Sequence, residues 1–204
     1  MGQLGIDDVT FAFKQVRDRF VIAVGAALLS ACASVGSGPS ATGPEKAPAA
    51  KAPSLGLFSS IKAPSDREPV LQLSAQGVQV FRCEKRDGAF VWTFRQPDAQ
   101  LLDAYGKTVG RHGANFSFEH VDGSRLVATI SAYDEAPNSA DLRWLLLSTR
   151  SFGKGAFEGV THVQRVNTRG GMPPERCDSG HIDQLLRVEF SADFIFYRPR
   201  STAG

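Results

Sequence analysis

Val188-Glu-Phe-Ser-Ala-Asp-Phe-Ile-Phe196 sets large apolar and polar side chains in alternation near the C-terminus. Val188, Phe190, Ala192, Phe194 and Phe196 fall on one side, and Glu189, Ser191, Asp193 and Ile195 on the other. Successive side chains of a strand point to opposite faces, so this period of two marks a strand with one face turned to a core. The same pattern recurs upstream. Leu126, Ala128, Ile130 and Ala132 alternate with Val127, Thr129 and Ser131, and Phe116, Phe118 and His120 alternate with Ser117 and Glu119. Ala89-Phe-Val-Trp-Thr-Phe94 and Arg143-Trp-Leu-Leu-Leu-Ser148 carry large residues at both phases and are expected to be buried on both faces. Asp87-Gly88 predicts a hairpin between strands at 78–85 and 89–95, and Asp122-Gly-Ser124 predicts a turn between strands near 115–121 and 125–133. No long window shows a helical stripe. The expectation is therefore an all-β fold, an antiparallel β-sandwich or β-barrel of about 8–10 strands.

The N-terminal part reads differently. A basic stretch at 14–20 precedes an apolar run at 20–29 and then Leu29-Ser-Ala-Cys32. That order is the order of a secretory signal, and the apolar run falls short of the roughly 20 residues a membrane-spanning helix needs. The last four residues resemble the bacterial lipobox, which implies a diacylglycerol on the Cys32 thiol and a mature chain beginning there. Residues 1–31 are expected to be signal peptide. Ala33 in place of Asp favours delivery to an outer membrane, facing the periplasm, if the cell has two membranes. The membrane is then the first expected partner, reached through the lipid.

Residues 32–68 are rich in Ala, Pro, Ser and Gly and are expected to be the lipidated Cys followed by a disordered tether. Leu55-Gly-Leu-Phe58 is an apolar cluster within it that is able to dock locally. Residues 69–198 form one β domain and 199–204 a tail. The net charge is +2, and removing the signal takes away three basic and three acidic residues, leaving it unchanged. Acids and bases are interspersed, which argues against a nucleic-acid partner.

Cys83 and Cys177 are left once Cys32 is lipidated. In an exported domain they are expected to pair, with two buried thiols as the alternative. His112, His120, His162 and His181 form no close metal-ligand spacing, and no Walker loop, GxGxxG or GxSxG stands in the chain. No metal, cofactor or placed catalytic nucleophile is expected. The most conspicuous polar stretch is Thr168-Arg-Gly-Gly-Met-Pro-Pro-Glu-Arg-Cys-Asp178. Arg165, Arg169 and Arg176 lie in or beside it and have the fork geometry to grip a carboxylate or phosphate. The competing reading is a long loop pinned by Cys177.

The chain resembles the bacterial and fungal family catalogued as domain of unknown function 3455. The resemblance is carried by Gly77-Val-Gln-Val-Phe-Arg-Cys83, Trp92-Thr-Phe-Arg-Gln-Pro-Asp98, Gly110-Arg-His112, Asp122-Gly-Ser124 and Trp144-Leu-Leu-Leu147. It continues through Val163-Gln-Arg-Val-Asn-Thr-Arg-Gly-Gly171, Pro174-Glu-Arg-Cys-Asp178 and Phe190-Ser-Ala-Asp-Phe-Ile-Phe-Tyr197. It departs at Asn115-Phe-Ser-Phe118, where members often carry Gly-Pro-x-Trp. It implies secretion and no particular activity. The expected function is a non-enzymatic, lipid-anchored envelope module that binds a small molecule, glycan or envelope protein, with His112, Glu119, Arg165, Arg169, Arg176 and Asp178 as candidate ligand-binding residues. The rivals are an enzyme whose site assembles from separate strands, with His112, Glu119, Arg165 and Asp178 converging in one cleft, and a purely structural component.

Overall fold

The computed structural model describes residues 48–201, so Cys32 and the stretch read as an export signal lie outside the described residues. Eight strands follow one another: β1 (Arg67–Arg86), β2 (Ala89–Leu102), β3 (Thr108–Gly113), β4 (Ser117–His120), β5 (Arg125–Asp134), β6 (Trp144–Phe152), β7 (His162–Gly170) and β8 (Leu185–Pro199). Short 3-10 turns occupy Ala114–Phe116 and Ser179–His181. Each strand pairs antiparallel with the next, and β8 returns to pair with β1, closing a barrel. Of the two all-β architectures expected, the barrel is the one formed. Closure removes the unpaired edges that a sandwich of the same strands would leave.

Local chemistry explains the joints. Asp87 and Gly88 both take positive φ, at 48° and 82°, as a tight hairpin turn requires. Gly77 has another reason to be glycine. A Cβ there would lie 2.2 Å from the Asp98 carbonyl oxygen and 2.5 Å from Ala99 Cα, because β1 and β2 approach closely at that register. Asn115 and Phe116, in the stretch that departs from the family pattern, turn the chain from β3 to β4 with φ of 57° and 50°.

The alternation of β8 is realised as read. Phe190, Ala192, Phe194 and Phe196 fill the interior with Leu73, Leu101, Phe118, Leu126 and Leu147. On β6, Leu145 and Leu147 point inward while Leu146 points out. All three are buried, as expected for a strand covered on both sides. The expectation of two buried faces fails at 89–94. There β2 has β1 on one side but not β3 on the other, and Phe94 is 40% exposed.

One end of the barrel carries the β1–β2 hairpin, the 114–116 turn and the 135–143 and 171–184 loops. The opposite end is plugged by Phe157. Asp122 holds that plug. Its carboxylate accepts from Ser124 Oγ at 2.6 Å and Ser124 N at 2.9 Å. It also accepts from Ala156 N at 2.7 Å and sits 2.9 Å from His120 Nδ1. These bonds, that from the Ser124 hydroxyl foremost, hold the carboxyl well below the usual carboxylate range.

The tether read as disordered through residue 68 does not stay apart from the domain over its last part. Residues 55–66 lie as a strap on the outer wall. Ile61 is wholly buried against Leu146, Val166, Ile195 and Tyr197, with Leu55 and Ala63 beside it. Gln164 Nε2 donates to the Ile61 carbonyl at 2.6 Å, and the Tyr197 hydroxyl donates to Gln164 Oε1. Ser59 Oγ and Ser60 N both donate to Asp134, at 2.6 and 3.0 Å. One apolar anchor and a few paired polar groups suffice to order an Ala/Pro-rich segment when the wall offers a matching patch. Leu57 and Phe58 stay out, with Phe58 95% exposed, so the apolar cluster docks through Leu55 alone.

Candidate functional site

Strand direction decides where the six candidate residues go. His112 and Arg165 point into the barrel, Glu119 and Arg169 point out from different strands, and Arg176 and Asp178 sit in the loop before β8. Only His112 and Arg165 come together. The catalytic convergence of His112, Glu119, Arg165 and Asp178 does not form.

Inside the barrel, His112 is 2% exposed and stacks on Phe118, ring centroids 4.2 Å apart, with Phe194 edge-on at 5.2 Å. Its Nδ1 is 2.8 Å from the Ser117 carbonyl oxygen, so that nitrogen carries the proton. Burial pushes the ring down to about 4, and the positive Arg165 acts in the same direction. Arg165 is 7% exposed and donates through Nε and Nη2 to one acceptor, the Arg143 carbonyl, at 3.2 and 2.9 Å. Burial lowers it to about 10, which still leaves it charged at neutral pH. Gln79 faces inward from β1, between Pro97 and Val188, and is 2% exposed.

The polar loop has the pinned structure that competed with the ligand-gripping one. Cys83 and Cys177 form a disulfide, S–S 2.05 Å and Cα–Cα 6.1 Å. Asp178 accepts from Gly180 N at 2.8 Å, and its Oδ1 lies 2.8 Å from His181 Nδ1. Cys83 N donates to the Gln184 carbonyl and its own carbonyl accepts from Asp183 N, both at 3.0 Å, fastening the loop to β1. Arg165, Arg169 and Arg176 do not share a ligand space.

A concave polar surface lies on the outer wall where β1, β8 and β7 run side by side. The 135–143 loop leans over it. Thr168 Oγ1 donates to the Leu142 carbonyl at 2.5 Å, and Gly170 N to Asp141 Oδ1 at 2.6 Å, which fixes that overhang. The groove has a volume of about 580 Å³. Its polar walls are Gln76, Asp141, Asn167, Arg169 and Asp193, and Trp144 supplies the one aromatic wall. A second depression of about 620 Å³ continues it through Gln76, Arg169 and Ser191.

Two local features shape the groove. The β7–β8 register slips between Val166 and Arg169, and Asn167 within the slip takes φ 52°, which Asn tolerates better than most residues. The bulge turns Asn167 toward Asp193, whose Oδ2 accepts from Asn167 Nδ2 at 2.8 Å. Ser74 Oγ donates to the other Asp193 oxygen at 3.3 Å. Gln76 and Arg169 have no partner among the described residues and are free to bind. Of the candidates only Arg169 belongs here. The groove's other residues were missed because they are spread over four strands and a loop. The available signal was the outward phase of β8, where Ser191 and Asp193 are small or polar. Among the described residues no three His, Cys, Asp or Glu side chains converge as a metal would require.

The fold and this groove define a class of scaffold, an up-and-down eight-stranded barrel whose concave surface is on the outer wall while its interior is packed. Residues 64–198 match the family described as protein of unknown function (DUF3455), and the chain belongs to that family. The match begins inside the strap, before β1. No curated protein and no solved structure matches the chain.

Proposed function

We propose that the protein is a non-enzymatic binding module of the cell envelope, exported and anchored by a lipid on Cys32, whose outer groove takes a glycan. The observation that carries the ligand class is the pairing of Trp144 with uncommitted Gln76 and Arg169 and the Asn167–Asp193 pair along one groove. Sugars present hydroxyls that both donate and accept, and apolar ring faces that lie against an aromatic wall. Amides, a carboxylate and a guanidinium around one indole meet both needs. The groove's two carboxylates are engaged in holding its shape, Asp141 accepting from Gly170 N and Asp193 from Asn167 and Ser74, which favours binding over turnover. The anchor rests on the order of basic, apolar and small residues before Cys32.

The test is titration of the purified chain with a panel of envelope-type oligosaccharides, read by tryptophan fluorescence and calorimetry. A binding sugar should be recovered unaltered, and Asn167→Ala and Arg169→Ala should each weaken it about ten-fold, the cost of one lost hydrogen bond to a charged or buried partner. Hydrolysis of the bound sugar, or affinity untouched by both substitutions, removes the proposal.

A further inference from the structure

The strap and the barrel wall line a third, open recess of about 330 Å³, on the side away from the groove's overhanging loop. Its charged lining is entirely cationic: Lys62 from the strap, Arg67 at the start of β1 and Arg200 just after β8. Apolar groups of Leu55, Pro69 and Tyr197 make up much of the remaining wall. These cations are only partly committed. Arg67 Nη1 pairs with the exposed Asp66 at 2.5 Å, but Arg67 Nε is buried and has no acceptor. Arg200 Nε donates to the Ser65 carbonyl at 3.1 Å, and Lys62 Nζ to the Leu57 carbonyl at 2.5 Å. Neither of these last two has a carboxylate partner among the described residues. A buried N–H without an acceptor is costly unless something fills the space beside it.

We propose that this cavity is a binding site for an anionic amphiphile, a phosphate or carboxylate headgroup carrying a short apolar stem. The headgroup would sit among Lys62, Arg67 and Arg200 and accept from Arg67 Nε, and the stem would lie along Leu55 and Pro69. A forked guanidinium suits the two oxygens of such a headgroup, and the apolar wall selects for a tail that a free mineral anion lacks. The site is separate from the outer groove and does not depend on the glycan reading.

The experiment uses the full chain in a non-ionic detergent. Hexyl phosphate is titrated against it, with hexanol and inorganic phosphate as controls, and binding is followed by calorimetry. Hexyl phosphate should bind at least ten-fold more tightly than either control, and Arg67→Gln should remove about ten-fold of that affinity. Arg200→Gln, at an exposed position after the last strand, gives a second variant that leaves the barrel pairing alone. In parallel, the chain extracted from its membrane is denatured and its co-purifying lipids are weighed by mass spectrometry. An anionic phospholipid present with the wild type and lost in Arg67→Gln assigns the anion to a lipid headgroup. Hexyl phosphate binding without such a lipid assigns it to a soluble molecule. Equal affinity for hexyl phosphate and hexanol, or affinity unchanged in both variants, overturns the proposal.

Discussion

A histidine sealed among phenylalanines makes stability depend on pH. His112 titrates near 6.5 when unfolded and at about 4 in the barrel, because burial penalises the imidazolium and Arg165 repels it. Between those two values the unfolded chain holds more protons than the folded one, so stability rises with pH across that window. The contribution is fully present above about pH 6.5, is lost as the pH falls toward 4, and amounts to about 3 kcal/mol. His162 is also lowered, chiefly by burial, and acts with the same sign. Asp122, Asp134, Asp178 and Glu84 are held below their ordinary values, 3.8 for aspartate and 4.5 for glutamate, and their contributions are lost only at lower pH. Urea midpoints of the wild type should therefore fall between pH 6.5 and 4.5, and His112→Gln should flatten most of that slope. An equally steep variant would place the effect elsewhere. Sequence could show that His112 stands beside a Gly at a strand end. It could not show that Arg165, which is fifty-three positions on, would face it across the barrel.

The elements differ in how readily the chain declares them. β8 was legible residue by residue because one face meets a core and the other mostly meets water, so the period of two survives. The Asp87-Gly88 hairpin was legible because few residue pairs tolerate two positive φ values. The strap was not, since its composition is that of a linker and its order comes from a patch on β6, β7 and β8 that alternation alone assigns to solvent. That patch is apolar on the outer phase: Leu146, Val166, Ile195 and Tyr197. Each of these breaks its strand's alternation, and the breaks are the signal that something covers them. The strap's attachment turns on Ile61. Burial of one isoleucine side chain contributes about 1.5–3 kcal/mol, so Ile61→Asp should release the strap while leaving the barrel closed. Tryptic cleavage after Lys62 should then quicken about ten-fold or more, the factor that corresponds to this free energy, with the far-ultraviolet dichroism of the strands unchanged. Cleavage at the wild-type rate would show that the serine bonds to Asp134 hold the strap without its anchor.

At the scale of the whole molecule, the barrel depends on a seam between its first and last strands. β1 and β8 are partnered from Arg67↔Pro199 to Arg82↔Leu185, so closure must bring together segments more than a hundred residues apart in the chain. Such pairing is slow, because loop entropy is lost before the contacts form. The disulfide lies at the end of this seam. Cys83 follows Arg82, the last paired position on β1, and Cys177 stands in the loop that delivers β8. With a sequence separation of 94, the link removes about 4–5 kcal/mol of entropy from the unfolded chain by the chain-entropy estimate. It does so by holding β8's approach near its partner before folding begins. The kinetic consequence follows from where the link acts. If it restricts the unfolded chain and adds little to the native contacts, then the Cys83→Ser/Cys177→Ser variant should refold more slowly and unfold at nearly the wild-type rate. Its equilibrium stability should fall by about the same 4–5 kcal/mol, measured by urea unfolding with and without a reductant. Faster unfolding with an unchanged folding rate would instead place the bridge's effect in the native state. The Cys83–Cys177 link would then act as a late clamp on the 171–184 loop, and seam closure would be driven by the β1–β8 register alone.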